Sequence, residues 1–412
     1  MNQTCGTGIR LLVFLSITVV AQSAVALGQI KRLEAASTRP FAVACVVDDV
    51  PLVHTSLILP TLTAADMPLE QQVSSTLRNL ADRLASAGTS AEHVVRVNVS
   101  IRNQELASEV LAELDRQWPM PRMLRPCISP VISRTPDPDA LLGIDVIAVQ
   151  PSRAEKLPLE TNSQSKVQRN QDWSVLPEGA RLYVSGQAES SAQLAQATLS
   201  TLEGLERTLE SLGRSSEDIV QLKAFVMPMA DVGVVQSKVQ EFFDGTHPPL
   251  VAVEWKSGQT TPIEIELVAW GGPANPNAPI VEHLWVPWLT KSPVYCRVAR
   301  INRGRTVYTG GIQAERLQAA SVSDPAELAE YEVNSIFQQL KKIMESADSN
   351  MNHLVKATYF VSTESASQKL NELRPRIYDP LHPPAASKAM VLGMPVQQSG
   401  LSIDMIAAPA SN

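Results

Sequence analysis

The sequence has no basic run, few aromatic rings and no grouping of metal-binding side chains. Lysine and arginine number 35 against 42 aspartates and glutamates, a formal net charge of −7, and the basic residues nowhere cluster. A nucleic-acid surface needs such a cluster to displace the counterions of phosphate, so no nucleic-acid partner is expected. The histidines, His54, His93, His247, His283, His353 and His382, show no pair at helical spacing and no HExxH-like motif. No metal site is expected, and no cofactor. Apart from Cys5, the cysteines are Cys45, Cys127 and Cys296, an odd number scattered along the chain. That is no disulfide framework, and the three read as buried thiols.

Long apolar runs are also scarce. The one at residues 11–20 is short for a membrane span of roughly 20 residues. Arg10 before it and Ala24-Val25-Ala26 after it make residues 1–26 a secretory signal, with a mature chain starting near Leu27. The expected location is outside the cytoplasm, periplasmic or secreted, with no membrane attachment after cleavage. Retention of the segment as an anchor is the alternative. The remaining length suggests about two to four domains.

What the sequence does hold is organised around residues 181–270. A strand-like run, Leu182-Tyr183-Val184, ends in Ser185-Gly186-Gln187. Ala195, Leu199, Leu202, Leu205, Leu209 and Leu212 then recur at steps of three and four, one face of a helix. Gly213 stands where a left-handed C-cap belongs. An apolar run at 219–226, a second amphipathic stretch carrying Val232, Val235, Val239 and Phe242, and strand-like runs at 250–255 and 263–269 complete the segment. The order is strand, helix, strand, helix, strand, strand.

This segment resembles the Rid family (YjgF/YER057c/UK114) of small enamine and imine deaminases. The resemblance rests on Ser185-Gly186-Gln187, the leucine-rich helix ending at Gly213, Asp218-Ile219-Val220, residues 248–254, and Ile263-Glu264-Ile265-Glu266.

The pattern occurs three times. In residues 41–149, Val53-His54-Thr55-Ser56-Leu57-Ile58 matches the first strand and turn. Val73, Leu77, Leu80 and Leu84 form the helix before Gly88, and Ile144-Asp145-Val146-Ile147-Ala148 matches the last strand. In residues 293–408 the same roles fall to Val307-Tyr308-Thr309-Gly310-Gly311, to Val333, Ile336, Phe337, Leu340 and Met344, and to Ile403-Asp404-Met405-Ile406-Ala407. The central copy takes residues 172–270. The expected class is α+β: three tandem Rid/chorismate-mutase-like domains, each a mixed sheet with two helices on one face. Rid proteins are homotrimers with clefts between subunits, so the resemblance implies a single-chain, intramolecular pseudo-trimer. Fusion would hold the copies at an effective concentration of roughly millimolar. Residues 150–171, polar and charged, read as a solvated linker. Residues 271–292, with Trp285 and Trp288, read as a connector packed on a surface.

The resemblance also implies a reaction, hydrolysis of a 2-imino acid or its enamine to a 2-keto acid and ammonia. An arginine fork holds the substrate carboxylate, a glutamate positions water, and a backbone group at a small-residue turn contacts the substrate. In the central copy the glutamate is Glu264 and the turn residue Gly186, while the arginine of Pro-Ala-Arg-Ser becomes Leu250 in Pro248-Pro249-Leu250-Val251. In the third copy Gly310 keeps the turn, Ala386 takes the arginine position, Ser402 takes the glutamate position, and Lys388 offers a point charge nearby. In the first copy Arg125 and Cys127 of Leu124-Arg125-Pro126-Cys127 match the arginine and a following cysteine, whereas Leu57 and Gly143 replace the turn glycine and the glutamate. Glu264 and Gly186 are therefore the candidate catalytic residues, and Arg125, Cys127 and Gly310 the candidate substrate-binding residues. Two functions follow: a hydrolase of small carboxylate-bearing imines, or a non-catalytic small-carboxylate-binding or scaffold protein with degenerate clefts.

Overall fold

The computed structural model describes residues 29–33, 40–151, 166–257, 260–315, 322 and 324–411. Residues 1–26, expected to be a secretory signal, and most of the polar stretch at 150–171 lie outside the described residues. Three six-stranded mixed sheets and six helices make an α+β protein of three like units.

In the central unit β9 (Ala180–Gln187), α3 (Leu194–Glu210), β10 (Ile219–Val226), α4 (Val232–Phe242), β11 (Leu250–Glu254) and β12 (Ile263–Gly272) follow one another. β10 lies between β11, parallel, and β12, antiparallel, and β12 pairs with β9. The first unit repeats this with β3 (Leu52–Thr55), α1 (Leu69–Ser86), β4 (Val94–Ile101), α2 (Ala107–Gln117), β5 (Cys127–Ile132) and β6 (Leu142–Val149). The third does so with β15 (Thr306–Thr309), α5 (Pro325–Ser346), β16 (Leu354–Val361), α6 (Glu364–Ile377), β17 (Ala385–Met390) and β18 (Leu401–Ala407).

The long helix of each unit stops the same way. Gly88, Gly213 and Asp348 adopt φ of 75°, 69° and 56°, and the next amide turns back to Leu84, Leu209 or Met344. This left-handed stop satisfies carbonyls that the last turn leaves open. The buried face of α3 differs from the leucine stripe. Ala195 and Leu199 are only half-buried, and Thr198, Thr201 and Thr208 face the sheet with Leu202, Leu205 and Leu209. Thr198 and Thr208 can do so because each hydroxyl donates to the carbonyl four residues back, Leu194 and Gly204.

The outer two strands of every sheet come from the stretch that precedes the next unit. β7 (Gln168–Arg169) and β8 (Trp173–Leu176) run just ahead of the second unit, yet β8 pairs with β3 of the first. β13 (Val281–Leu284) and β14 (Val298–Ile301) precede the third unit, and β14 pairs with β9 of the second. The series closes on itself: β1 (Ile30–Leu33) and β2 (Ala44–Val47) precede the first unit, and β2 pairs with β15 of the third. β2, β8 and β14, which make these cross-unit pairings, lie within the stretches expected to be the first, second and third domains, while β7 and β13 fall in the expected connectors.

One face of each sheet packs on its two helices, as in the cluster of Val73, Leu80, Leu84, Val97, Val110, Leu114 and Val146. The opposite faces of all three sheets meet in a single shared core containing Val95, Val220 and Val355 from matching strand positions. Both faces of the strands are covered, which is why they read as near-continuous apolar runs.

Candidate functional site

Strand register aligns the three units residue by residue. Val97, Leu222 and Ala357 pair with Val146, Leu267 and Met405 on one side and with Ile128, Leu250 and Ala386 on the other. Ile128, Leu250 and Ala386 are thus equivalent. The arginine position in the first unit is Ile128, in Pro126-Cys127-Ile128-Ser129, and Arg125 lies three residues ahead of it, before β5 begins. Arg125 was expected to hold a carboxylate, and the structure overturns that. Its guanidinium bonds to the Asp115 carboxylate, to Asp115 O at 2.9 Å, Met120 O at 3.1 Å and Pro40 O at 3.3 Å, and it stacks on Phe41. With those partners met, it is a brace between the start of the first unit and α2.

Cys127 is likewise displaced from its expected role. It is fully buried in the shared core, its Sγ lies within hydrogen-bond reach of Val95 O and Tyr308 O, and burial pushes its thiol well above the usual range. Gly310 aligns with Ser56 and Ser185, so the partner of Gly186 in the third unit is Gly311, one residue on. The register shows it: Met405 N donates to Thr309 Oγ1 as Val146 N does to Thr55 Oγ1. Gly310 has a different need for glycine, since a Cβ there would lie 2.7 Å from Ile128 O.

Each turn residue meets β5, β11 or β17 of another unit, and three clefts result. Leu57 N approaches Leu250 O at 3.4 Å, Gly186 N donates to Ser387 Oγ at 3.1 Å, and Gly311 N donates to Ile128 O at 2.9 Å. The carboxyl of Glu264 lies over the Gly186 Cα, where a Cβ would come within 1.9 Å of Oε1. Glu264 and Gly186 are therefore brought together. The strand they face, however, is β17 of the third unit, with Ala386 in the arginine position. Lys388 does not supply the missing charge, because its ammonium is bound to Ser367 and Asn371 on α6.

Charges missed in the sequence lie beside these clefts. Arg96 of the first unit reaches Asp404 of the third at 2.6 Å, and Lys356 of the third reaches Glu266 of the second. Arg96, Gln221 and Lys356 are equivalent, as are Asp145, Glu266 and Asp404. The remaining member of the set has no base: Gln221 Nε2 donates to Thr55 O at 2.7 Å, and Asp145 accepts from Asn98 at 2.7 Å within its own unit. The signal was present in the sequence, since each last strand carries an acid at this position inside an apolar run, Asp145, Glu266 and Asp404.

Electrostatics differ accordingly. Burial would raise Asp404, but Arg96 and Lys223 hold it below the ordinary range. Burial raises Asp145, and Lys223 and Asn98 only partly offset it. Glu264 is pushed up to about 7 by burial and by Glu266 beside it, against the pull of Lys356, Ser387 and Arg297. A carboxyl near 7 can hold or release a proton at neutral pH.

Three interlocked α+β units with clefts between them define a protein of the YjgF-like class. The family described as Endoribonuclease L-PSP matches residues 170–270 and 292–409, more than half of the chain. The chain belongs to that family, the Rid (YjgF/YER057c/UK114) family, as three tandem domains. Among solved structures it is similar to a YjgF-family protein from Neisseria meningitidis at 19% identity, covering 30% of this chain and 96% of that one, with a TM-score of 0.23. A YjgF/YER057c/UK114-family protein from Mycobacterium tuberculosis matches at 20% identity over 29% and 98%, with a TM-score of 0.21. The TdcF protein of E. coli with bound serine matches at 23% identity over 22% and 81%, with a TM-score of 0.21. No curated protein matches the chain.

Proposed function

We propose that the protein is an exported single-chain pseudo-trimer that binds small molecules in its interdomain clefts and has lost the deaminase chemistry of its family. One observation carries this: the equivalent residues Ile128, Leu250 and Ala386 leave all three arginine positions apolar. Without a guanidinium fork on β17, a carboxylate-bearing imine lacks a bidentate anchor opposite Glu264. A charge-assisted hydrogen bond of that kind contributes roughly 1.5 to 3 kcal/mol, and two parallel ones also fix orientation. The pseudo-trimer reading is supported by the closed exchange of strand pairs and by the shared core. Export rests on the N-terminal sequence alone, and N-terminal sequencing of mature protein should begin near Leu27.

The test is ammonia release from freshly generated 2-iminopropionate. The wild-type protein should not raise the rate above the uncatalysed one, and clear acceleration would overturn the proposal. Ala386→Arg is the informative gain-of-function variant, because it puts a guanidinium opposite Glu264 and Gly186. A hydrolytic reading is favoured by a single feature, the Glu264 carboxyl titrating at about 7 over the Gly186 turn.

A further inference from the structure

The three clefts are not alike, and the difference follows the ion pairs. Where Lys356 meets Glu266 and where Arg96 meets Asp404, the units are drawn together. At the boundary of the third and first units, a Cβ on Gly311 would come within 3.1 Å of both Ser129 Oγ and Ser402 Oγ, so little space remains. At the boundary of the first and second units the basic residue is replaced by Gln221, no ion pair spans the equivalent position, and the cleft opens into a cavity of about 350 Å³. That volume is at the lower end of the range for small-molecule sites.

The lining of this cavity is polar yet carries no free cation. Gln236 and Gln240 stand four residues apart on α4, which puts both amides on one face. Gln171 belongs to the opposite wall, and none of the three amides hydrogen-bonds to another described residue. His247 Nδ1 donates to its neighbour Pro248 O at 2.8 Å, and in the neutral ring Nε2 is then an acceptor. The one ionised lining group, Asp172, is paired with Arg83 at 2.9 Å, and Arg83 also donates to Ser56 Oγ. Leu57 and Leu59 crowd Gly143, filling the space that the Glu264 carboxyl takes in the second unit, and Leu250 occupies the arginine position.

We infer that the cleft between the first and second units is a binding site for a small neutral carboxamide with a short alkyl body. A side-chain amide recognises another amide by reciprocal donation and acceptance, which Gln236 and Gln240 can offer as a pair. His247 Nε2 accepts a further N–H, and Leu57 and Leu250 take the alkyl part. A carboxylate of the same shape would stand beside Asp172 with no unpaired cation and would lose its hydration uncompensated. The inference rests on the reading of the clefts as ligand sites but not on the outcome of the deaminase assay.

Saturation-transfer NMR on the full chain with butyramide and its isostere butyrate tests it. Butyramide should give transfer and butyrate none. The double variant Gln236→Ala, Gln240→Ala should weaken butyramide roughly tenfold, as expected for loss of neutral hydrogen bonds, and both glutamines are exposed, so the fold is spared. Leu250→Arg should reverse the preference toward butyrate. Equal transfer from both probes, or a double variant that binds like wild type, would overturn the inference. Ammonia release by the wild type would instead count against the loss of deaminase chemistry, whatever butyramide does.

Discussion

Arg96 and Asp404, from the first and third units, lie 2.6 Å apart with both side chains almost fully buried. Ser129 adds a hydrogen bond to the other carboxylate oxygen at 2.8 Å, and Asn98 accepts from Arg96 Nε at 3.1 Å. The pair is part of a satisfied network that crosses the boundary between units. Removing one partner leaves the other buried and uncompensated, which typically costs about 3 to 5 kcal/mol, whereas replacing both by apolar groups is often nearly neutral.

Asp404→Asn or Arg96→Met should therefore lower stability by about 3 to 5 kcal/mol, and Arg96→Met with Asp404→Leu should recover most of it. Denaturant unfolding of the two single variants and the double variant checks the cycle. Asp404 sits below its ordinary pKa, so its contribution is present above about pH 4 and is lost as pH falls through its lower folded value.

Glu264 gives the opposite sign. Its folded pKa of about 7 lies above its ordinary 4.5, so the protonated carboxyl favours the folded state. That contribution is full below about pH 4.5 and fades as pH rises through 7, by roughly 3 kcal/mol. Glu264→Gln should remove this part of the pH dependence between 5 and 8. Thermal unfolding across that range measures it, and equal slopes for wild type and variant would refute the assignment.

The fold was legible where periodicity and turn chemistry agreed. The leucines before Gly213 and the apolar run 219–226 could form little else, and three repetitions identified the architecture. The strand pairs β1–β2, β7–β8 and β13–β14 were not legible, because strands of two to four residues carry too little alternation. Their partners also lie in another unit, which local sequence does not report. The site was half legible. Glu264 and Gly186 meet because β9 and β12 are paired neighbours. Arg125 misled because Leu-Arg-Pro-Cys resembles the motif by composition, while register is fixed only when β5 is paired with β4.

Arg125 supplies a third prediction. Arg125→Ala should destabilise the protein by about 2 to 4 kcal/mol, since it leaves the partly buried Asp115 carboxylate unpaired and removes the stack on Phe41. It should leave any ligand response of the clefts unchanged. Chemical denaturation, run beside butyramide titration of the same variant, separates the two effects. A lost ligand response with unchanged stability would return Arg125 to a binding role.

Gly186 and Gly310 respond to different obstacles. A Cβ on Gly186 meets first the side chain of Glu264, which can rotate away, whereas one on Gly310 meets the backbone carbonyl of Ile128 at 2.7 Å. Gly186→Ala should therefore cost little, about 1 kcal/mol, and less still combined with Glu264→Ala. Gly310→Ala must move a strand of another unit and should cost toward 3 kcal/mol, the upper part of the range for overpacking. The displaced element is β5, which pairs with β4 and carries Cys127 into the shared core. The damage should accordingly spread beyond the third unit. Hydrogen exchange reads this directly: Gly310→Ala should speed exchange along β4 and β5 of the first unit as well as β15 of the third. Exchange confined to β15 would mean that the units yield independently and that the interlock between them is weak.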